Sequence, residues 1–512
     1  MSQIGFPLLS LMIWLPALGA ALLLLLGRSA GSMLSIAFIA SLGSLVCAGV
    51  MVALFSPALA TPQLIDVLTW VPAWGLSYYV AVDGISLWLV VLTTIMMPFA
   101  ILAASEGAQR ERAGQYALLL LLETGILGAF LARDLILFYV FFEATLIPTA
   151  IMLVLFGGPE RRRAATKFFL YTFAGSVFML LSIIAVALAY AKQIGSMTFS
   201  YDMLLASFGS TAGSSIAMDV WTSRLLFFGF LIAFAVKIAL WPFHTWMPFL
   251  HEQTPADGSV DVGAVLLKVL GGYGMLRFAL GLFPAAAQWA APAVAVLAVI
   301  GIIYGAWLAY GQRDMKMVLA FSSVSHLAFV VLGIFSLNTQ GMSGAVLQLV
   351  NYGLTTGALF LAVAALEQRY GTRQIRELGG LWAAMPVFGG ILLALVLASI
   401  GLPGLNGFVG EFMVLQGSWL SVALGWRFTM VAVLGVILAA AYLLRMYKET
   451  FMGPLPGRLD GASELNRTQL MPLVVLLILM LVIGLFPNLL FGPMQPSIEQ
   501  LAQALNAVLA SQ

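Results

Sequence analysis

The chain has 512 residues, of which 62% are hydrophobic and only 9% are charged, and its mean hydropathy is +1.04. Soluble domains carry about 25% charged residues, so this composition excludes a water-soluble fold and predicts an all-α integral membrane protein in a lipid bilayer. The net charge of +2 is spread along the chain, which argues against a nucleic-acid partner. Cys47 is the only cysteine, which excludes a disulfide framework and cysteine-ligated zinc or iron–sulfur sites, so we expect no cofactor and no metal on this chain.

Long apolar runs recur along the whole chain and predict about fourteen transmembrane helices, since one span needs about 20 apolar residues. The first run has no Lys or Arg before it and is longer than the apolar core of a signal peptide, so we expect it to remain as the first span. The predicted spans cover residues 8–26, 33–55, 84–105, 115–132, 135–156, 165–190, 223–247, 258–281, 287–309, 316–336, 341–366, 385–421, 427–450 and 469–489.

The span at 385–421 is too long for one straight crossing of the membrane. Gly401, Pro403, Gly404 and Gly407 interrupt its middle. Because proline lacks an amide hydrogen and glycine tolerates turns, this pattern predicts a broken helix.

The segments between and after the spans differ in character. The stretches at 57–82 and 192–222 mix Gly, Ser, Pro and Trp with few basic residues, and we interpret them as external connections. The tail after Phe491 has apolar residues at helical spacing, namely Ile498, Leu501, Leu505, Val508 and Leu509. We expect this amphipathic tail to lie along the outer surface or to dock on a neighbouring subunit.

The distribution of basic residues predicts the orientation, because cytoplasmic loops are enriched in Lys and Arg. Sixteen basic residues follow odd-numbered spans: Arg28, Arg110, Arg112, Arg161, Arg162, Arg163, Lys167, Arg313, Lys316, Arg369, Arg373, Arg376, Arg445, Lys448, Arg458 and Arg467. Five follow even-numbered spans: Arg133, Lys192, Arg224, Arg277 and Arg427. We therefore expect the loops after odd-numbered spans in the cytoplasm and both termini on the outer side of the membrane.

Six ionisable side chains fall inside predicted spans, where a charge costs at least about 2.5–3.5 kcal/mol and is by default a functional hypothesis. They are Glu123, Glu143, Lys237, Lys268, His326 and Glu411. Each alone could be a static partner that locks helices together. Six residues of both signs, without a cofactor motif, favour a proton relay. Asp257 and Asp261 begin a predicted span, where helix capping and proton transfer are both open.

The spacing of prolines supports a relay that switches. A lysine removed from water gives up its proton readily, and a carboxylate within about 4–6 Å restores its charge. If Glu143 pairs with Lys237, the pair holds the proton on the lysine. Pro148 and Pro242 each lie five residues after one of these charges and remove an amide that would bond a nearby carbonyl, which leaves that carbonyl free to bind water.

Five segments resemble the subunit M family of bacterial NADH-quinone oxidoreductase (respiratory complex I), which is similar to mitochondrial NADH dehydrogenase subunit 4. They are FYVFFEATLIP (138–148), FAVKIALWPFHTWMP (234–248), GSVDVGAVLLKVLGGYGMLRF (258–278), VLAFSSVSHLAFVVLG (318–333) and GLPGLNGFVGEF (401–412). The resemblance covers nearly the whole chain. The LPG and K…PFH.W.P patterns alone are typical of the wider antiporter-like superfamily.

The resemblance implies two inverted five-helix repeats, at 115–281 and 285–452, between three N-terminal helices (1–114) and a last helix with an amphipathic tail (453–512). It implies a proton-translocating subunit of an enzyme, driven by redox chemistry in other subunits. NADH, FMN, iron–sulfur clusters and quinone are then expected in partner subunits. The implied partners are other membrane subunits of complex I, especially other antiporter-like subunits.

The resemblance also implies roles for the six buried residues. It assigns the family's ion pair to Glu143 and Lys237, the central relay lysine to Lys268, a connecting site to His326, the terminal proton site to Glu411, and the acidic position of the fourth span to Glu123.

The sequence departs from the family pattern at two places. Phe249 and Leu250 precede His251 where the family often has Asp-Ala-His, and Tyr352 stands where relatives often carry a histidine. Tyrosine is a poor proton carrier, so the step towards Glu411 is expected to depend more on water. Two other interpretations remain open: a subunit of a multisubunit cation/proton antiporter or membrane-bound hydrogenase, and a structural membrane scaffold.

Overall fold

The computed structural model describes residues 6–26, 29–106, 112–208, 218–459 and 463–511, and within them the chain forms a helical bundle with one β-hairpin. The strands are β1 (Gln63–Val71) and β2 (Leu76–Val82). The helices are α1 (Leu8–Leu26), α2 (Ala30–Leu54), α3 (Leu87–Glu106), α4 (Arg112–Leu131), α5 (Leu135–Ala144), α6 (Leu146–Phe156), α7 (Arg161–Ile194), α8 (Tyr201–Phe208), α9 (Val220–Ile238), α10 (Trp246–Gln253), α11 (Ser259–Gly274), α12 (Pro284–Gly311), α13 (Met315–Ile334), α14 (Thr339–Tyr370), α15 (Pro386–Ile400), α16 (Asn406–Leu420), α17 (Trp426–Phe451), α18 (Arg467–Leu485) and α19 (Asn488–Ser511).

The number of membrane crossings agrees with the sequence. Among the described residues, thirteen helices are long and apolar enough to cross a membrane. The broken pair of α15 and α16 supplies a further crossing, so the prediction of about fourteen spans is confirmed. Arg28 and Arg110, which entered the orientation argument, lie outside the described residues.

Three helices are interrupted beside candidate relay residues. The fifth span divides into α5 and α6 at Thr145, and the predicted break between α15 and α16 is confirmed, with Gly401 at φ +83° and Gly404 at φ +93°. The span predicted at 223–247 is interrupted where Pro242 was expected to leave a carbonyl free. There α9 ends at Ile238, a left-handed residue follows, and proline cannot donate the amide bond that would continue the helix.

The connection at 57–82, interpreted from sequence only as an external loop, contains the hairpin. Its strands pair antiparallel, with Val67 opposite Tyr79 and Val71 opposite Leu76. Ser10 of α1 donates to the carboxylate of Asp66 through its backbone amide at 3.0 Å and its hydroxyl at 2.9 Å. The hairpin is thereby fixed against the first turn of α1.

The core lies where α11, α13 and α14 meet. Every residue of α11 is buried, and so is the π-helical turn Met275–Leu280 that continues it. Gly271 permits close packing against the end of α9, because a Cβ atom there would lie only 2.5 Å from the amide nitrogen of Ile238. Peripheral helices such as α2, α17 and α18 keep exposed apolar faces, as expected in lipid.

The tail forms α19, a helix as the spacing of its apolar residues predicts. Met494, Ile498 and Leu505 are buried, and the side chain of Gln288 in α12 donates to the carbonyl of Leu505 at 2.5 Å. The apolar face that suggested a neighbouring subunit therefore packs on this chain's own bundle. The side chains of Val508 and Leu509 lie outside the described residues.

Candidate functional site

Lys237 is buried at the broken end of α9. Its Nζ atom donates to the hydroxyl of Thr145 at 2.9 Å and lies 3.5 Å from the carbonyl oxygen of Phe142. The same ammonium lies 4.3 Å from the centroid of the Phe142 ring. Because α5 ends at Ala144, Thr145 occupies the interruption between α5 and α6. A break in one helix therefore supplies polar ligands to a lysine at the break of another.

The expected ion pair between Glu143 and Lys237 is not formed directly. Among the described residues, no salt bridge joins these two side chains, and Lys237 is bonded to Thr145 instead. Glu143 is only half-buried, one of its carboxylate oxygens has no hydrogen-bond partner, and the Ser176 hydroxyl is its polar neighbour. The carboxylate acts on the lysine electrostatically without touching it.

Lys268 belongs to a fully buried network that the sequence did not reveal. Its Nζ atom lies 2.9 Å from Nε2 of His251, and Nδ1 of His251 lies 2.7 Å from Oδ1 of Asp261. Thr254 donates to the same carboxylate oxygen at 2.6 Å. Lys316 forms an ion pair with the other oxygen, at 2.9 Å. None of the side chains in the His251–Asp261–Lys316 set is exposed.

Two expectations about this network need correction. The orientation argument placed Lys316 in a loop, but it is buried in α13. Helix capping was one interpretation of Asp261, but its carboxylate binds His251 and Lys316; Asp257 instead accepts from the Ser259 amide at 2.9 Å. A usable signal was present, since Asp261 and Lys268 are seven residues apart and so share one face of α11.

His326 and Glu411 form a second buried pair. Nδ1 of His326 lies 3.2 Å from Oε1 of Glu411, and the amide of Gln348 donates to that oxygen at 3.4 Å. The other ring nitrogen of His326 lies 3.3 Å from the hydroxyl of Tyr442. Gly401 leaves room for the carboxylate, because a Cβ atom there would lie 2.9 Å from Oε2 of Glu411. The break in the helix and the acidic side chain are thus parts of one arrangement.

Tyr352 lies between the two buried networks. The Nζ atom of Lys268 is 5.5 Å from the centroid of the Tyr352 ring. On the other side, Tyr352 and His326 line a polar cavity of about 10 Å³ together with Gln348, Asn351, Thr355, Thr356 and Ser399. A single water molecule needs about 10–15 Å³ and several polar partners, so this cavity has a suitable size and lining for one.

Glu123 is buried in α4 but lies apart from the other five candidates. Neither of its carboxylate oxygens has a hydrogen-bond partner, and its polar neighbour is Ser41 of α2. No salt bridge joins it to any described residue. The structure therefore brings together Lys268 with His251, and His326 with Glu411, and leaves Glu123 separate.

A further buried charge cluster lies near the hairpin. Asp83 bridges Arg133, at 3.1 Å, and Arg277, while Arg133 also pairs with Asp202. Arg133 and Arg277 entered the orientation argument as loop residues, but both are almost fully buried. Asp83 precedes α3, outside the spans. Burial opposes its ionisation, but the charges of Arg277 and Arg133 prevail and lower the pKa of Asp83 to about 2.

No metal centre is evident in the part of the chain that the structure describes. Within residues 6–26, 29–106, 112–208, 218–459 and 463–511, no group of three or more His, Cys, Asp or Glu side chains could hold a metal ion. The buried carboxylates, amines and imidazoles are groups that can exchange protons.

The chain is similar over nearly its whole length to membrane subunits of known complexes. A family described as NADH:quinone oxidoreductase/Mrp antiporter, TM, matches residues 132–439. NADH-quinone oxidoreductase subunit M of Rhodobacter capsulatus is 38% identical over 515 residues, covering 98% of this chain and 98% of that protein. A chain in the structure of respiratory complex I from Thermus thermophilus with bound NADH superposes with a TM-score of 0.87 at 31% identity, covering 97% and 99% of the two chains. A chain of the Mrp complex from Dietzia sp. superposes with a TM-score of 0.83 at 20% identity, covering 98% and 99%, which is a likeness of fold alone.

Proposed function

Since the chain belongs to the NADH:quinone oxidoreductase/Mrp antiporter family and is an antiporter-like membrane subunit of respiratory complex I, we propose that it translocates protons through its buried side chains. The relay consists of Glu143, Lys237, Lys268, His326, Glu411 and Glu123. Redox chemistry in other subunits drives it. Two buried contacts carry the proposal. Lys268 contacts the imidazole of His251, and the imidazole of His326 contacts the carboxylate of Glu411.

The proposed route runs from Lys237 to Lys268, past Tyr352, to His326 and Glu411. Lys237 has a neutral hydroxyl as its closest partner, so it needs no carboxylate in contact to stay bonded when its proton leaves. A water in the cavity beside Tyr352 would bridge the gap to His326. Tyr352 thus shapes the wall of the gap rather than carrying the proton.

The half-buried Glu143 and the isolated Glu123 have supporting roles in this proposal. Glu143 controls the charge on Lys237 through its distance, because a carboxylate that moves within about 4–6 Å favours the ammonium form. Glu123 is a buried carboxyl without a bonded partner, which suits a group that holds a proton beside the route. The breaks after α9 and α15 fall in the fourth span of each proposed five-helix repeat, 115–281 and 285–452, which supports that division.

The setting of the subunit follows from its relatives and its loops. We assign it to a bacterial plasma membrane with both termini on the periplasmic side, on the basis of its basic residues. Its partners would be other antiporter-like membrane subunits. NADH, FMN, iron–sulfur clusters and quinone would be held by partner subunits, with no redox site on this chain. A role in a cation/proton antiporter or membrane-bound hydrogenase is the second candidate, favoured only by the fold shared with the Mrp chain.

The test is the substitution Glu411→Gln in the assembled complex, with Glu449→Gln as the control. Glu449 is partly exposed and pairs with Arg445 on the outside of α17, so its loss should leave transport unchanged. NADH-driven proton uptake by membrane vesicles is measured beside the amount of assembled complex. The proposal expects Glu411→Gln to lose most proton uptake. Full uptake in an assembled Glu411→Gln complex would contradict it.

A further inference from the structure

A continuous chain of charged groups leads from Lys268 to one end of the bundle. Asp261 is bonded to His251 on one side and paired with Lys316 on the other. Beyond Lys316 lies Glu367 of α14, whose side chain is 18% exposed. His251, Asp261, Lys316 and Glu367 are not among the six candidate relay residues.

The gaps along this chain are short. Lys268 and His251 are 2.9 Å apart, His251 and Asp261 are 2.7 Å apart, and Asp261 and Lys316 are 2.9 Å apart. The Nζ atom of Lys316 lies 3.9 Å from Oε2 of Glu367, an oxygen without a hydrogen-bond partner. Oδ2 of Asp261 is paired with Lys316 but, among the described residues, is likewise without a hydrogen bond, so small adjustments of Lys316 would complete both contacts between the central lysine and the carboxylate at the rim.

We propose that Glu367, Lys316, Asp261 and His251 form the branch through which protons from the aqueous face reach Lys268. The inference rests on the proposed function and identifies the path by which protons enter the relay. An imidazole suits this position because one ring nitrogen faces a carboxylate and the other faces an amine, so it accepts on one side and releases on the other. A tether between the helices would need only the ion pair of Asp261 with Lys316.

Arg373 connects several groups at the rim of the branch. Arg373 lies 3.4 Å from Glu367 and 2.5 Å from Asp314, and it donates to the backbone carbonyl of Glu252 at 3.0 Å. The charged groups that face Glu367 are therefore Lys316, Arg373, Asp314 and Asp261. Arg373 belongs to the loop that the basic-residue distribution places in the cytoplasm, so the branch opens to that side.

The transfer conserves protons at each step. A proton from water adds to the carboxylate of Glu367, which passes a proton to Lys316 as Lys316 releases one to Oδ2 of Asp261. The neutral carboxyl group of Asp261 turns and gives its proton to Nδ1 of His251. His251 releases its Nε2 proton to the amine of Lys268. One proton enters at Glu367 and one arrives at Lys268. The next cycle begins when the imidazole of His251 returns to the Nε2–H form.

The decisive variant is Lys316→Arg, because a guanidinium preserves the ion pair but does not give up its proton in proteins. Glu367→Gln removes the entry carboxylate at a partly exposed site, so it is expected to assemble even if Lys316→Arg does not. Glu449→Gln is the control on the surface of the bundle. Each complex is purified, its assembly and melting temperature are measured, and NADH-driven proton uptake is recorded over a range of pH.

The branch predicts a fall in proton uptake of at least about tenfold in Lys316→Arg and Glu367→Gln, since proton-transfer groups contribute about 10²–10⁴-fold to rates. The loss should deepen as the pH rises, because protons become scarce at the entry. Normal uptake at all pH values in assembled variants, or a lower melting temperature with normal uptake, would overturn the branch. If those variants pump normally while Glu411→Gln does not, only the branch fails; normal uptake in Glu411→Gln would defeat the relay itself.

Discussion

Replacing Gly401 by alanine should disturb Glu411 through one added carbon atom. A Cβ at this position would lie 2.9 Å from Oε2 of Glu411, closer than real Cβ contacts allow, so the carboxylate must move. That movement should disrupt the 3.2 Å contact of Glu411 with His326. Hydrogen bonds to charged groups are worth about 1.5–3 kcal/mol, which corresponds to about ten- to a hundredfold in a rate that depends on them.

Gly404→Ala provides a matched control for the backbone. Both glycines have positive φ, at +83° for Gly401 and +93° for Gly404, so alanine at either place costs about 1–2 kcal/mol of backbone strain. A Cβ at Gly404 would meet nothing within 4 Å. The assay is NADH-driven proton uptake per assembled complex. We expect Gly401→Ala to be at least about tenfold slower than Gly404→Ala, and equal rates would refute the role assigned to the carboxylate position.

Three further predictions follow from other contacts. Thr145→Val removes the hydroxyl bonded to Lys237 and should slow proton uptake about tenfold, whereas Thr149→Val, one turn further along in α6, should not; equal uptake in both would contradict the assignment. Tyr352→His should retain proton uptake in the assembled complex, since an imidazole can hold the proton that the phenol does not, and a loss would show that the tyrosine itself is needed. Asp83→Asn removes the carboxylate that Arg133 and Arg277 share and should destabilise the subunit by about 3–5 kcal/mol. The measurement is the melting temperature of the purified complex, with Asp219→Asn, at an exposed helix cap, as the control. Because the pKa of Asp83 is lowered to about 2, its stabilising effect is present above about pH 4 and is lost as the pH falls towards 2; an unchanged melting temperature in Asp83→Asn would refute it.

Much of the fold could be predicted because lipid imposes simple rules on sequence. The helix Leu8–Leu26 has the bounds that the apolar run predicts, and the break near Gly401 follows from glycine and proline in an overlong span. The hairpin was missed although its strands have nine and seven residues, because the Pro, Gly and Ser residues in and around the hairpin suggested an irregular connection. Pro242 indicated an interruption of the span at 223–247, but the exact end of α9 at Ile238 was not predicted because the apolar pattern continues across the proline.

The candidate site could be predicted only in part. Burial of Lys237, Lys268 and Glu411 follows from their position in apolar spans, and the structure confirms that burial. The link of His251 to Asp261 and Lys316 joins three separate helices, and one sequence does not state which helices are neighbours. Lys316 was assigned to a loop because it follows a polar helix start, although its side chain points into the core.

The most direct test of the central claim is NADH-driven quinone reduction and proton uptake with Lys237→Ala in the assembled complex. Lys192→Ala, an exposed lysine at the end of α7, is the matched control. If protons pass through this subunit, Lys237→Ala should lose proton uptake and coupled turnover while Lys192→Ala keeps both. Full proton uptake in an assembled Lys237→Ala complex would contradict the relay and favour a structural scaffold whose charges only hold the helices together.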